Sequence, residues 1–591
     1  MDGKTREIVT LQCGHYANFI GTHFWNIQES TFSYDPNPAQ LVPKDINNDV
    51  LFREGRTLQG EVTYTPRLVC VDLKDSLNTL RAEGILYDLK AEEDVHWGGD
   101  VTLHKSSPAH KNQFLADLEA QDEMFEHGEC RPPTSGNDLL TPDNDSTEAD
   151  TESEEHKGAK SVTKRSYNLN EEVAVWSDYL YGHLHPRTIS IVKEYMHNST
   201  IGPFDLYTQG KELLSRKDIS DDIEDRLHFF VEECDHLQGF QVYLDFYNGF
   251  SGLGCGVLEG LADDYHGKGI LTAGVAPTCF DDSNPLLDSY RVINSVLSFS
   301  RLVAHSSMFV PLSLASTLWR KVGSPVTFPH LEYKPSLHYH TSAVLACAMD
   351  TATLPLRATE GAVSLSMMTD AIAARGRKIG SLCASLPLPL HHQSTLADML
   401  SASPLPWQPV SPHHGMDLVD PFAQSVVLRG VPPNRLKRPP AANLNPYHSC
   451  HDEEEMLRNH LIANYPRTLS SGRCINPPCK TGAPFPHIFN SKVNREGQLM
   501  DEDRKEEQGV ESVPMVTSLQ SSPAVRHLLS SLVSEAGRLD IHKFHGYTEE
   551  GLEEDEFKEH IQELEQLLGC YETETDRQLA QDDLDDDDDD V

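Results

Sequence analysis

The sequence predicts an α/β fold whose parallel sheet is covered by helices on both faces. Short apolar runs typical of buried strands lie at Ile8–Leu11, Leu68–Val71, Phe240–Leu244 and Ile270–Val275. Helical patterns follow the first and third runs, and a further helix is predicted over Leu287–Leu302. Strands that alternate with helices through short connections favour a parallel sheet. Ligands of such sheets lie at the carboxyl ends of the strands.

Composition limits the functions that the chain can serve. Its 591 residues exceed one compact core, and 49 basic against 91 acidic side chains give a net charge of −42. Nucleic acids and anionic membrane surfaces both attract basic segments, so direct binding to either is not expected. No stretch approaches the roughly 20 apolar residues that a membrane-spanning helix needs. The 12 cysteines lack regular spacing, which is typical of free thiols in the cytosol.

Shifts in composition divide the chain into segments. Ala120–Arg165 is rich in Asp, Glu, Ser, Thr and Pro, and it is predicted to be a disordered insertion because it can bury little apolar surface. Pro432–Pro446 and Ser470–Ser522 are rich in Pro, Asn and Ser and are predicted to be loops or linkers. The predicted order is a first α/β segment (1–118), the acidic insertion (119–165), a second α/β segment (166–356), an intermediate mixed α/β domain with long loops (357–530), a helical region (531–580) and an acidic tail (581–591).

The carboxyl end has a helical pattern. Its apolar residues fall on one stripe of an amphipathic helix: Phe557, Ile561, Leu564, Leu567 and Leu568. Asp582–Asp590 follows and is almost entirely carboxylate. Repulsion between like charges predicts that this tail is extended and solvated.

A glycine-rich stretch, Asn248–Gly256, follows the third predicted strand. One interpretation is a loop whose backbone amides bind phosphate, helped by the dipole of the next helix. The other is a tight turn that packs a helix against a strand, and the glycine pattern taken alone favours it. The motif G-x-x-x-x-G-K-[ST] does not occur in the sequence, which excludes the phosphate-loop class of NTPases.

Several segments resemble tubulin. Arg6–Trp25 resembles the tubulin amino terminus nearly residue for residue, and Leu237–Phe240 is similar to the Leu-Gln-Gly-Phe that precedes the tubulin glycine loop. Tyr64–Leu73, Arg291–Ser295 and His545–Phe557 resemble further tubulin motifs. The resemblance implies a tubulin-like, nucleotide-type domain in the two α/β segments. It also implies a vestigial guanine-nucleotide site, whose members would be Gly14, His15, Asn18, Ser251, Gly252, Gly254 and Asn294.

Three departures from tubulin predict weak or absent GTP hydrolysis. Phe250 and Leu253 stand among the glycines, where bulky side chains oppose the close approach of phosphate. Lys74 occupies the position of a tubulin acid that helps to hold magnesium, and a cation there repels the metal. No Asn-x-Asp motif occurs in Arg357–Asp370, where tubulins present an activating acid. We therefore expect no catalytic residues and no required cofactor, although binding of GTP or GDP remains open.

No metal site is predicted. The histidines and cysteines near 450–479 lack the paired spacing of structural zinc sites, and they are interpreted as ordinary surface residues: His448, Cys450, His451, Cys474 and Cys479.

Other segments resemble the Misato family, whose members combine tubulin-like segments with the control of mitochondrial distribution and morphology. They are Val173–Leu180, His183–Arg187, Glu224–Asp235 and Phe422–Gly430, and they span much of the chain. The resemblance implies a protein of the cytoplasm and of the mitochondrial outer membrane. Because no spanning helix is expected, attachment to that membrane would be peripheral and through a partner.

The sequence therefore favours a non-enzymatic, tubulin-like regulator of mitochondrial distribution, morphology and network organisation. One alternative is a GTP-binding protein that polymerises, alone or with tubulin. Another is an assembly factor for tubulin or its chaperonin, which would use tubulin-like surfaces as mimicry. Tubulin and the cytosolic chaperonin are accordingly the expected protein partners.

Overall fold

The computed structural model describes most of the chain. The described residues are 6–32, 45–56, 62–82, 111–126, 167–280, 284–319, 323–402, 405, 407–412, 420–436, 446–505 and 508–573. Most of the predicted acidic insertion (119–165), the middle of Pro432–Pro446 and the whole acidic tail (581–591) lie outside them.

Strands and helices alternate through the first half of the chain. The strands are β1 (Ile8–Cys13), β2 (Phe52–Arg56), β3 (Val62–Pro66), β4 (Leu68–Lys74), β5 (Ile189–Met196), β6 (Gly239–Asp245), β7 (Gly269–Val275), β8 (Met308–Leu312), β9 (Ser381–Ser385), β10 (Gln408–Pro409), β11 (Ala423–Arg429), β12 (Leu469–Ile475), β13 (Cys479–Lys480), β14 (Ser512–Val513) and β15 (Met515–Ser521). The helices are α1 (His15–Glu29), α2 (Gln113–Glu126), α3 (Tyr207–Ser215), α4 (Lys217–Glu232), α5 (Phe250–Asp264), α6 (Pro285–His305), α7 (His338–Ala352), α8 (Leu365–Ile372), α9 (Leu396–Ala402), α10 (Glu453–Asn464), α11 (Val525–Ala536), α12 (His545–Glu549) and α13 (Glu554–Cys570).

The first sheet has six strands in the order β5-β4-β1-β6-β7-β8, and every pair is parallel. Residues along β6 are buried throughout, which explains why this strand is apolar almost without alternation. Alternate residues of β1 enter different cores: Ile8 packs into one, whereas Val9 and Leu11 pack into the other. Helices therefore cover both faces of the sheet, and the predicted α/β class is confirmed.

The second sheet is mixed, in the order β10-β9-β15-β11-β12. Strands β11 and β12 are parallel, and the other pairs are antiparallel. Strand β12 begins one residue before Ser470–Ser522, and strand β15 lies inside that range. The prediction of loops was therefore wrong for the residues of these two strands. The serines misled the prediction, because in β12 they lie on a half-exposed edge strand and in β15 they are buried.

Helix α7 joins the two sheets. Its residues from Tyr339 to Ala352 are all buried, and its side chains belong to the same core as α1, β9 and β15. In the described part of the chain, no helix is both long enough and apolar enough to cross a membrane.

The carboxyl-terminal helices pack against the first sheet's domain. Helix α13 buries Phe557 and Leu564, two residues of the predicted stripe. They join a core with Val296 and Leu302 of α6 and with Leu529 of α11. The amphipathic helix predicted near the carboxyl end is therefore present, and its apolar stripe covers the same face as α6.

Candidate functional site

The first turn of α1 lies at the carboxyl edge of the first sheet. Strand β1 ends at Cys13, and Gly14 makes the turn with φ of 120°, a conformation that favours glycine. A Cβ atom on Gly14 would lie 2.4 Å from Cγ of Asp245. The absence of a side chain at Gly14 thus lets the last residue of β6 reach the start of α1.

The carboxylate of Asp245 occupies the amino-terminal end of α1. The backbone N–H of Tyr16 donates to Oδ2 at 3.0 Å, and that of Ala17 donates to Oδ1 at 2.8 Å. Amides in this position are the groups that bind phosphate in nucleotide-binding folds. Here they bind an anion that the chain supplies itself.

Burial governs the charge of Asp245. The side chain is inaccessible to solvent, and desolvation raises its pKa to about 7 despite the two backbone hydrogen bonds, which lower it. Asp72 adds a smaller electrostatic increase to that pKa. Near neutral pH the carboxyl at the start of α1 is therefore close to its titration midpoint.

A second carboxylate, Asp72 at the end of β4, organises the neighbouring side chains. Its Oδ2 lies 3.1 Å from Nδ1 of His15 and accepts hydrogen bonds from Nδ2 of Asn18 at 3.0 Å and from Nε1 of Trp176 at 2.8 Å. Burial opposes ionisation of Asp72, but His15 and the hydrogen bonds outweigh it and hold the pKa below its usual value. His15 and Asn18 are therefore committed to an internal network.

Histidines fill the space beside this network. The ring of His197 lies against that of His15, with centroids 3.7 Å apart and the planes tilted by 32°. Desolvation, reinforced by His15, lowers the pKa of His197 to about 4. The side chain of Lys74 is exposed, while its carbonyl accepts the backbone N–H of His197 at 2.8 Å.

The glycine-rich stretch is the beginning of a helix rather than an extended loop. Helix α5 starts at Phe250, so Gly252, Gly254 and Gly256 lie within it. The first amides of α5 already have acceptors: Phe250 donates to Oδ1 of Asn248 at 3.0 Å, and Ser251 donates to the Asn248 carbonyl at 3.0 Å. The Ser251 hydroxyl donates to the same carbonyl.

The glycines of α5 permit close helix packing. A Cβ on Gly252 would lie 1.8 Å from the carbonyl oxygen of Tyr207, the first residue of α3. A Cβ on Gly254 would lie 2.2 Å from Leu244 of β6. Phe250 meets Phe204 edge to face, with centroids 5.1 Å apart. These contacts correspond to the packing interpretation of the glycine pattern.

Asn294 of α6 uses all of its hydrogen-bonding capacity inside the protein. Its Nδ2 donates to the carbonyls of Asp205 at 2.7 Å and Tyr247 at 2.9 Å. Its Oδ1 accepts from the backbone N–H of Tyr207 at 2.8 Å and from the hydroxyl of Tyr547 at 2.6 Å. An asparagine side chain offers two donors and two lone pairs, so none is left for a ligand in this arrangement.

The last residue of β6 and the residues that follow it link the two groups of predicted site residues. Asp245 contacts the α1 group, which contains Gly14, His15 and Asn18, whereas Tyr247 and Asn248 contact Asn294 and Ser251. The predicted residues thus line one edge of the sheet. The space at this edge is filled by the chain's own side chains. Sequence reasoning missed Asp245, Asp72 and Tyr547. An acid at the carboxyl end of a buried strand, ahead of a glycine-rich stretch, was the available signal for Asp245.

The sequence had suggested that the candidate zinc residues lie on the surface, but not all of them do. Cys450 and Cys479 are buried, and Cys474 is partly buried. Cys450 and Cys479 belong to separate cores, Cys450 beside Tyr447 and Cys479 beside Cys347. They are apolar core residues, which is a common role of a free cysteine.

Comparison with known proteins relates two regions of the chain to tubulin-like domains and nearly the whole chain to misato proteins. Residues 6–120 match the Misato Segment II tubulin-like domain, and residues 166–358 match a Tubulin domain. Protein misato homolog 1 of Danio rerio is 39% identical over 99% of this chain and 100% of its own length.

Two further relatives extend the comparison. Protein misato homolog 1 of Homo sapiens is 36% identical over 97% of this chain and 99% of its own. Protein misato of Drosophila melanogaster is 31% identical over 96% and 98% of the two chains. With this identity maintained over nearly the full length, and with a tubulin-like sheet beneath it, the chain belongs to the Misato family.

Proposed function

We propose that the protein is a non-enzymatic, tubulin-like regulator of mitochondrial distribution, morphology and network organisation. The observation that carries the non-enzymatic part is the carboxylate of Asp245 on the first amides of α1, 3.0 Å from Tyr16 N and 2.8 Å from Ala17 N. Phosphoryl transfer depends on positioned phosphates and a metal that neutralises their charge. The buried carboxylate of Asp245 takes up the amides that would position a phosphate, and when ionised it repels the phosphate's charge.

The end of the edge at Asn294 supports the same proposal. Asn294 is saturated by internal partners, one of which is Tyr547 from the carboxyl-terminal region. A guanine could bind there only by displacing Tyr547 or a backbone group. Each exchange would leave a buried polar group unpaired, which costs about 1–3 kcal/mol.

The mitochondrial part of the proposal rests on membership of the Misato family and on what the resemblance implies for its members. The protein would act in the cytoplasm and at the mitochondrial outer membrane, attached peripherally through a protein partner. Tubulin and the cytosolic chaperonin are the partners that its tubulin-like surfaces suggest. The net charge of −42 favours a protein partner over direct adsorption to anionic lipid.

Nucleotide binding is tested directly on the purified full-length chain. Nucleotide released by denaturation is quantified by chromatography, and GTP and GDP are titrated calorimetrically with and without magnesium, with tubulin as the positive control. We expect substoichiometric nucleotide and no binding at about 100 μM ligand, which corresponds to less than about 5.5 kcal/mol of binding free energy. Magnesium-dependent turnover comparable to that of tubulin would refute the non-enzymatic proposal.

The cellular role needs a separate experiment. Depletion of the protein should disturb the mitochondrial network, and re-expression of the intact chain should restore it. A normal network after complete depletion would remove the mitochondrial function. Pelleting with microtubules tests the first alternative, and stoichiometric incorporation would favour a polymerising protein. Co-purification with the chaperonin tests the second. A stable chaperonin complex, together with defective tubulin folding on depletion, would favour an assembly factor.

A further inference from the structure

Two histidines and an aspartate meet in the mixed α/β domain, outside the edge described above. His391 and His392 follow β9, and Asp501 precedes β14. His391 forms a parallel bridge with Leu499, the N–H of His392 donates to the Leu499 carbonyl at 2.9 Å, and the N–H of Leu499 donates to the Leu390 carbonyl at 3.1 Å. Backbone pairing therefore fixes the register that brings Asp501 to the histidines.

The three side chains are close enough to share one ion. Nε2 of His391 lies 3.1 Å from Oδ1 of Asp501, and one potential ligand atom from each residue lies within 4.8 Å of the other two. The rings of His391 and His392 lie side by side, with centroids 4.6 Å apart. In a tetrahedral site with bonds of about 2.1 Å, ligand atoms are about 3.4 Å apart. Small side-chain rotations would reach that geometry.

His392 supplies an independent observation. Its Nδ1 atom is buried and has no hydrogen-bond partner in the described part of the chain, whereas its Nε2 lies 3.1 Å from the side-chain nitrogen of Gln393. An unpaired buried polar atom costs free energy, and the few that occur in proteins call for an explanation. A bond from this imidazole to a metal would supply the missing interaction.

The neighbouring charges leave the site electrostatically available. The basic side chain of Lys492 contacts this segment: its Nζ donates to the Asp501 carbonyl at 2.8 Å and pairs with Asp503 at 3.1 Å. The ammonium is thus directed at the backbone and at Asp503. The Asp501 carboxylate is 71% exposed, which gives an ion access from solvent.

We propose that His391, His392 and Asp501 form a binding site for a divalent transition-metal ion of the Zn²⁺ class. Two imidazoles and one carboxylate match the donor preference of such ions and differ from the all-oxygen sites of Mg²⁺ and Ca²⁺. Three protein ligands leave a position for water. In the described part of the chain, this is the one group of three His, Cys, Asp or Glu residues with ligand atoms this close together.

The test uses the full-length chain, stripped with a chelator and then exposed to Zn²⁺. Diethyl pyrocarbonate modifies accessible imidazoles, and peptide mass spectrometry measures the modification of each histidine. We expect Zn²⁺ to slow the modification of His391 and His392. His542 is the internal control, because it contacts Glu554 at 2.9 Å in a similar exposed pair but belongs to no group of three close ligand atoms among the described residues.

Variants assign the effect to the three ligands. Asp501→Asn and His392→Ala should each raise the Zn²⁺ concentration needed for half-maximal protection by about tenfold or more. Even the loss of a supporting partner costs that much in metal affinity. His542→Ala should leave it unchanged. A melting curve confirms that each variant is folded. Equal protection of His542, no protection of the pair, or full protection in Asp501→Asn would each overturn the proposal.

Discussion

Asp245 and Asp350 are both buried aspartates, yet the groups around them differ in kind. Asp245, at the edge of the first sheet, is held by the backbone N–H groups of Tyr16 and Ala17, which are neutral dipoles. Its pKa is raised to about 7, mainly by desolvation. No permanent positive charge contacts it directly among the hydrogen bonds of the described residues.

Asp350 lies in α7, between the two sheets, and is held by two guanidinium groups. Nη2 of Arg357 donates to Oδ1 at 2.9 Å, and Nη1 of Arg429 in β11 donates to Oδ2 at 2.6 Å. The side chains of all three residues are at most 2% exposed. Arg429 also donates to the carbonyls of Pro477 and Pro478, so the cluster ties α7 to the second sheet.

The two sites therefore differ in whether their charge is fixed. Asp350 links secondary elements through permanent charges, and removing one member leaves charge buried without compensation. Asp245 sits where related folds bind phosphate, and its own charge varies with pH around neutrality. The charge at the nucleotide-type edge is therefore less firmly fixed than the charge of the Asp350 cluster, although the residues of the edge are as deeply buried.

The largest expected effect on stability is at Asp350. Asp350→Ala leaves Arg357 and Arg429 buried without their counter-charge, and we expect a loss of about 3–5 kcal/mol of unfolding free energy. Urea unfolding followed by fluorescence measures it. Asp218→Ala is the control, because it removes an aspartate paired with Arg216 on the surface and should leave the midpoint almost unchanged. A small loss at Asp350 would mean that water reaches the cluster.

A smaller, pH-dependent effect is expected at Asp245. Its folded pKa of about 7 lies above the ordinary aspartate value of 3.8, so its contribution to stability is present at low pH and lost as pH rises through 7. Linkage gives a loss of about 1.4 kcal/mol between pH 6 and pH 8. The stability difference between the wild type and Asp245→Asn should therefore fall by about that amount over this range, as measured by urea titrations. A constant difference would contradict the raised pKa.

The smallest effect is expected at the other end of the same edge. Tyr547→Phe removes the hydroxyl that donates to Asn294 at 2.6 Å and leaves the ring in its core. The loss of one buried hydrogen bond predicts a decrease of about 1 kcal/mol in unfolding free energy. The same variant frees one lone pair of Asn294, so calorimetric titration with GTP measures whether Tyr547 alone closes this end. We expect no binding, because Asp245 still occupies the α1 amides.

Local pattern was sufficient for most elements of the first sheet. β1, β4, β6 and β7 and helix α6 appear where short apolar runs and helical periodicity predicted them. Buried parallel strands are apolar on both faces, so they are visible without knowledge of their neighbours. The mixed sheet was harder to predict, because β12 is a half-exposed edge strand and its serines resemble a loop.

The glycine-rich stretch shows where local pattern is ambiguous. Glycine serves equally where a backbone must approach a phosphate and where two helices must approach each other. Tertiary contacts distinguish the two uses, such as that between Gly252 and the carbonyl of Tyr207, which lies 45 residues earlier in the chain.

The sequence by itself determined the α/β class, the positions of four strands of the first sheet and the kinship with tubulin, because these follow from short-range periodicity and from motifs. The tertiary structure decided what fills the nucleotide-type edge. The contact of Asp245 with Tyr16 spans 229 residues, and that of Tyr547 with Asn294 spans 253. Such pairs depend on how strands and helices pack across the sheet, a property that no local pattern of residues encodes.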